Sequence, residues 1–189
     1  MTPKTVMALS LIALSIPLFT VMSAYAEDSG KGLDGAEIIS RFKVELQTAL
    51  RSGLKEGPLH AMSVCKMTAP GIAQKLSVNG IRVGRTSDRL RNPNNVAPDW
   101  VQPILNDFLE NKTDRWAKEV LLPDARIGYV EPITVQPLCT TCHGDVLADE
   151  VSEQLQLLYP QDRATGYRIG EFRGLFWVEY PVSGVRSAE

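Results

Sequence analysis

Apolar residues recur at helical spacing in the stretch that follows Asp34, whose short carboxylate side chain suits the N-cap of a helix. The apolar positions of this stretch are Ile38, Ile39, Phe42, Leu46, Ala49 and Leu50. The pattern continues to about Ser52, and Gly53 and Gly57 mark its end. It predicts a long N-terminal helix with one apolar face, which would pack on a core or form the contact of a homodimer.

A second helix is predicted to begin at Pro58, because proline is favoured at the first helical position. It runs through Cys65 to Met67, and the sequence Ala69-Pro70-Gly71 is expected to break it. One or two further helical turns follow over residues 72–76. The sequence therefore predicts a short helix that carries one of the three cysteines of the chain.

Alternation of apolar and polar residues predicts strands in the later part of the chain. Strands are expected over residues 80–87, 126–135 and 174–182, with a short strand or helical turn over 116–121. Two more helices are expected over residues 98–110 and 146–159. This order lacks the regular alternation of a parallel βαβ sheet, so it predicts an α+β fold with a mainly antiparallel sheet flanked by helices.

The first residues have the pattern of a secretory signal peptide. Lys4 supplies the positive start, residues 6–21 are mainly apolar, and Ala24-Tyr25-Ala26 fits the small-x-small cleavage site. An uncleaved membrane anchor is the alternative, because the apolar stretch is not far short of a membrane span. Cleavage after Ala26 would leave a flexible lead-in over residues 27–35 and a single domain over residues 36–189. The expected location is the periplasm or another exported compartment.

Composition restricts the functional classes. The chain has 189 residues, of which 44% are hydrophobic and 22% are charged, and its net charge is −2. These values are ordinary for one globular domain. No large basic block is present, so the sequence does not predict nucleic acid as a partner.

The segment Cys139-Thr140-Thr141-Cys142-His143-Gly144 matches Cys-x-x-Cys-His, the attachment sequence of a c-type haem. Two thiols at this spacing can each form a thioether with one vinyl group of the porphyrin, and the histidine that follows can bind the iron. A redox-active dithiol and half of a zinc site are the alternatives. A structural zinc site needs four ligands, and only Cys65 and His60 remain elsewhere as soft ligands.

The candidates for a second axial ligand lie close together in the sequence. Outside the signal peptide and the motif, the only histidine, cysteine and methionine residues are His60, Met62, Cys65 and Met67. Met62 and Cys65 are three residues apart and therefore share one face of the predicted helix, whereas His60 points elsewhere. An ordinary packing role is the alternative for the cysteine and the methionines. With a haem inferred, we expect this helix to form the wall opposite His143.

Four arginines lie between positions 82 and 91, and we select Arg85 and Arg91 as candidate haem-binding residues. A haem carries two propionate groups, and the planar guanidinium group is suited to paired hydrogen bonds with a carboxylate. The alternative is that these arginines are solvated surface charges.

Six motifs in order resemble a family of exported single-haem c-type domains with a PAS-like fold, long described as a domain of unknown function. They are Ala69-Pro70 after Cys65, Gly84-Arg85-Thr86-Ser87, Arg91-Asn92-Pro93-x-Asn95, Pro98-x-Trp100, Cys139-x-x-Cys142-His143-Gly144 and Asp162-Arg163-Ala164-Thr165-Gly166-Tyr167. The resemblance extends over residues 38–182. It implies thioethers at Cys139 and Cys142, and an iron bound between His143 and Cys65.

The implied iron centre favours a redox or small-gas sensor. A thiolate ligand stabilises ferric iron and lowers the potential, whereas reduction weakens the iron–thiolate bond. Cys65 could then leave and open a site for CO or NO, and a redox or signalling protein would be the partner. A periplasmic electron carrier is the alternative. Catalysis is less favoured: a peroxidase would need His60 as a free distal base, and a thiol oxidoreductase would need Cys139 and Cys142 as free thiols.

Overall fold

The computed structural model describes residues 34–111 and 116–182. The predicted signal peptide and all but the end of the predicted lead-in lie outside these ranges, so both remain predictions. Within the two ranges, none of the helices combines the length and apolar composition that a membrane span needs.

The N-terminal part of the domain consists of two long helices. Helix α1 extends over Gly35–Leu54, and the Asp34 carboxylate accepts a hydrogen bond from the Ala36 N–H at 2.9 Å, as the sequence predicts for an N-cap. Helix α2 extends over Pro58–Leu76. The predicted break at Pro70 is therefore wrong, because the helix continues through this residue.

Packing explains why α2 survives its internal proline. A proline inside a helix removes one backbone hydrogen bond and costs about 3 kcal/mol. The turns after Pro70 carry Ile72, Ala73 and Leu76 into the same apolar core as α1 and the sheet, and Ile72 is almost completely buried. Burial of this apolar surface offsets the lost hydrogen bond.

The four strands form one antiparallel sheet in the order β1-β4-β3-β2. Their bounds are β1 Arg82–Thr86, β2 Lys118–Leu122, β3 Arg126–Thr134 and β4 Phe172–Pro181. Pro132 fits in β3 because Val130 is the last β3 residue that pairs with β2, so the strand has an open edge beyond it. The predicted α+β class with an antiparallel sheet flanked by helices is confirmed.

The sheet is covered by helices on both faces. Helices α1 and α2 pack on one face around Phe42 and Val178, and α3 (Gln102–Glu110) packs on the other around Leu105 and Leu175. Two further helices, α4 (Thr140–His143) and α5 (Asp149–Leu158), follow β3. Helix α5 packs on α2, where Val151 and Leu155 contact Met62. Strand β1, helix α2 and the segment after β3 thus enclose the region that carries the predicted motif.

Candidate functional site

A cavity of about 260 Å³ lies between α2, the β1 and β4 strands and the segment that contains α4. The chemically active residues that line it are Cys65, Cys139, Cys142, His143, Arg85, Arg91, Arg173 and Tyr159. Apolar side chains from α1, α2, β3 and β4 complete the wall, among them Phe42, Leu50, Met62, Ile133 and Phe176. The cavity therefore brings together all six residues that the sequence predicts for a haem site.

The local fold of the motif presents its two thiols and its imidazole to this cavity. A 3-10 turn over Pro137–Cys139 leads directly into α4, so that Cys139, Cys142 and His143 line the same wall. The chain leaves α4 at Gly144, where an added Cβ would lie 2.5 Å from the carbonyl oxygen of Thr140. Glycine is required there by this close contact, and any side chain would push the motif away from its place.

His143 has the hydrogen bonding of a ligand imidazole. Its Nδ1 lies 2.6 Å from the carbonyl oxygen of Ala164, which can only accept, so Nδ1 carries the proton. Burial, together with the positive charges of Arg91 and Arg173, lowers the pKa of His143 well below its usual value. The ring is therefore neutral near pH 7, and its Nε2 keeps a free electron pair that can bind a metal.

The structure separates the four candidates for the opposite ligand. Cys65 and Met62 line the cavity, in agreement with their shared helical face. Met67 is 79% exposed and the His60 side chain is 45% exposed, and neither residue lines the cavity. Burial raises the pKa of the Cys65 thiol, whereas the positive charges of Arg85 and Arg91 lower it. Of the four candidates, the Cys65 thiol and the Met62 thioether are therefore the two that line the cavity with the motif.

The two predicted arginines differ in what they contact. Arg85 lines the cavity, and within residues 34–111 and 116–182 no carboxylate pairs with it. Burial lowers the pKa of Arg85, and the nearby Cys65 opposes this shift. Arg91 instead pairs with Asp162 at 3.0 Å, and both side chains are largely buried. Arg85 is therefore a positive charge without a carboxylate partner among the described residues, whereas Arg91 already pairs with Asp162.

Arg91 fastens the motif to the loop that follows α5. Its Nη2 donates to the carbonyl oxygens of Cys142 and Ala164, and Asp162 also accepts from the Ala164 N–H at 2.8 Å. Ala164 is the residue whose carbonyl accepts from His143. Arg91 therefore contacts the residue before His143. Arg91 and Asp162 both contact Ala164, whose carbonyl accepts the hydrogen bond from the imidazole.

We expect Arg91→Ala to lower the free energy of unfolding by about 3 kcal/mol, because it leaves the buried Asp162 carboxylate without its positive partner. Urea denaturation followed by tryptophan fluorescence measures this change. Arg82→Ala is the matched control: the Arg82 side chain is 63% exposed, and its partner Glu179 keeps hydrogen bonds from Trp100 and Arg126. The control should lose less than about 1 kcal/mol, and equal losses in both variants would contradict the assignment of Arg91.

Sequence reasoning missed Arg173, a third guanidinium group in the cavity wall. Arg173 is the extra residue of a β-bulge, since Gly174 pairs with Ile133 and Phe172 pairs with Thr134. A β-bulge changes the direction in which nearby side chains point. Gly174 adopts a backbone conformation with a φ of +145°, which allows the bulge to form. An added Cβ at Gly174 would lie 2.1 Å from the carbonyl oxygen of Thr86. The Arg-Gly pair inside a strand pattern is the signal that could have indicated the bulge.

The set of donors fits a haem. Two thiols and a neutral imidazole lie on one wall, a thiol and a thioether face them, and Arg85 and Arg173 supply positive charge for propionates. The Thr86 hydroxyl, on a residue that also lines the cavity, has no partner among the described residues. No group of three or more histidine, cysteine or acidic side chains in the described ranges is arranged to hold a metal ion by itself.

Comparison with known proteins gives two findings. The sequence model of the Tll0287-like family, described as Tll0287, matches residues 26–181. The crystal structure of the cyanobacterial heme-protein Tll0287 superposes with a TM-score of 0.62 at 25% sequence identity. That alignment covers 81% of this chain and 94% of the other. No curated protein matches the sequence.

Proposed function

This chain belongs to the Tll0287-like family, and on that basis we propose that it is an exported haem protein that senses redox state or a small gas. One haem would be attached covalently through Cys139 and Cys142, with His143 and Cys65 as axial ligands. The observation that carries this proposal is that the motif and Cys65 line the same cavity. The matched structure is of a heme-protein, which supports the choice of cofactor.

Different residues of the chain would bind different parts of the cofactor. Cys139 and Cys142 would supply the two sulfur atoms of the tether, and the Nδ1–H bond to Ala164 leaves the Nε2 electron pair of His143 available to bind the iron. Arg85 and Arg173 compensate the negative propionates. When bound, a haem supplies an iron that gains or loses one electron and can exchange an axial ligand.

Cys65 is the residue that makes a sensor a better interpretation than a plain electron carrier. Its sulfur is subject to two opposing influences, since burial favours the neutral thiol and the charges of Arg85 and Arg91 favour the thiolate. A gain of negative charge at the iron would weaken attraction for the thiolate. Release of Cys65 would then remove a link between the cofactor and helix α2, which contacts α1, β1 and α5.

Two features argue against a thiol oxidoreductase. Burial raises the pKa of the Cys142 thiol, although the charge of Arg91 opposes this effect. A reactive thiol usually has a lowered pKa, because the thiolate is the attacking species. The imidazole beside it is neutral and its Nδ1–H is committed to Ala164, so it is not an imidazolium that would stabilise a thiolate.

Absorption spectra of the protein exported from a host with haem-attachment machinery test the proposal. We expect a c-type spectrum with a ferric thiolate signature, which disappears on reduction and is replaced by that of a CO complex when CO is added. We also expect the leader to be cleaved after Ala26. Determination of the N-terminal sequence of the same preparation would test this. A c-type spectrum whose axial ligands do not change on reduction would support the electron carrier, and a protein without haem would exclude both.

A further inference from the structure

Tyr159 lies where the end of α5 meets α2, next to the helical turn that carries Cys65. The Lys66 ammonium group donates to the carbonyl oxygen of Leu158 at 2.7 Å and lies 5.5 Å from the centre of the Tyr159 ring. The Arg91 guanidinium carbon lies 5.9 Å from the same centre. Tyr159 and Cys65 both line the cavity. The phenol therefore borders the cavity that Cys65 and His143 also line, between two positive side chains.

The Tyr159 hydroxyl is a hydrogen-bond donor without an assigned acceptor. Within the part of the chain that the structure describes, nothing accepts from it, whereas the hydroxyls of Tyr129 and Tyr180 contact glutamates. Burial raises the pKa of the Tyr159 phenol, and nearby Cys65 adds to the shift while Arg91 and Arg85 oppose it. The group therefore stays protonated at neutral pH. Its proton is available to a ligand in the cavity.

The backbone around Tyr159 fixes the position of this donor. The Tyr159 N–H donates to the carbonyl oxygen of Leu155 at 2.8 Å, and its carbonyl accepts from the Asp162 N–H at 2.9 Å. Pro160 follows directly and restricts the conformation further. Asp162 is also the partner of Arg91, so the same group of contacts holds both the motif and the phenol. A donor held in this way can bind a ligand with little loss of entropy.

We propose that Tyr159 stabilises the ligand opposite His143 by donating a hydrogen bond from its hydroxyl group. The acceptor would be a diatomic molecule such as CO or NO in the position that Cys65 leaves, because no described residue, Cys65 included, accepts from this hydroxyl. This inference rests on the proposed function, because it needs a haem between His143 and Cys65.

A surface groove of about 380 Å³ adjoins the cavity. Lys66, Pro70, Arg91 and Tyr159 line both spaces, and Pro160 and Gln161 form the outer part of the groove. Tyr159 therefore borders both the cavity and the groove outside it.

The test compares Tyr159→Phe with the wild type and with Tyr129→Phe as matched control. Tyr129→Phe removes the same atom from a half-buried tyrosine on β3 that does not line the cavity. For the reduced CO complex we expect Tyr159→Phe to release CO about fivefold faster, the change expected for one hydrogen bond. The C–O stretching frequency should rise, because the donor no longer polarises the ligand. The control should keep both wild-type values.

A second readout covers the oxidised protein. Because the Cys65 sulfur accepts no hydrogen bond from this hydroxyl, the thiolate absorption band of oxidised Tyr159→Phe should stay that of the wild type, as it should in the control. A wild-type rate of CO release and a wild-type C–O stretching frequency in Tyr159→Phe, in a wild type that shows the thiolate and binds CO, would overturn this inference and leave the proposed function intact. A wild type without haem or without the thiolate signature would overturn the proposed function and this inference with it.

Discussion

A Cys139→Ala/Cys142→Ala double variant is expected to retain no covalently bound haem at all. The two sulfur atoms are the only motif groups that can form thioethers, and no other cysteine lies on that wall of the cavity. The predicted axial ligand His143 is unchanged, so any haem that still binds would be held by coordination and packing alone. Haem staining of a denaturing gel should fall from full intensity to none, and extraction with acidified solvent should remove the residual colour.

Two further variants make this result specific. Cys65→Ala deletes the third cysteine and should leave staining at the wild-type level, because Cys65 comes from α2 and not from the motif. Either single motif variant should retain one thioether and show a reduced absorption band at longer wavelength, because one vinyl group stays conjugated with the ring. Full staining of the double variant would disprove covalent attachment at this motif.

Cys65→Ser is expected to abolish the ferric thiolate absorption and to raise the reduction potential by on the order of 0.1 V. The physical reason is that a hydroxyl donates much less electron density to ferric iron than a thiolate, so the oxidised state loses its selective stabilisation. Serine is close to cysteine in size, which keeps the packing of α2 against α5. Spectroelectrochemical titration of the purified protein measures both quantities.

Met62→Leu is the matched control for Cys65→Ser. Met62 is 4% exposed and lines the same cavity, so it is the other side chain that geometry permits as a ligand. Leucine keeps its volume and apolar character but has no sulfur atom. We expect the ferric spectrum of Met62→Leu to be that of the wild type. A changed spectrum in Met62→Leu together with an unchanged one in Cys65→Ser would assign the iron to the thioether and favour the electron carrier.

Local sequence patterns predicted most of the secondary structure because the relevant interactions are themselves local. The N-cap at Asp34 and the apolar spacing of α1 depend on contacts within a few residues, and so does the short turn of the haem motif. The predicted break at Pro70 failed for the opposite reason. Whether a helix tolerates a proline depends on the burial of later turns, here through Ile72, and burial is decided by the tertiary structure.

The site was predictable in its residue types and only partly in their contacts. Counting soft ligands reduced the choice to four residues, but the exposure of Met67 and His60 became apparent only in the folded chain. Arg91 pairs with Asp162, which is far away in the sequence, so no local pattern distinguishes it from Arg85. The family predicted from the ordered motifs is confirmed. The roles of the individual site residues stay predictions.

The strand order determines how late in folding the cavity can form. Strand β4 pairs with β1 and β3 and carries Arg173 and Phe176 of the wall, yet it follows the motif in the chain. Such non-local pairing is slow, because a long loop must close before its contacts form. The motif can therefore be exposed in a chain in which β4 has not yet paired with β1 and β3. Any partner that acts on the motif during this interval meets two thiols and an imidazole in a chain that has not yet built their surroundings.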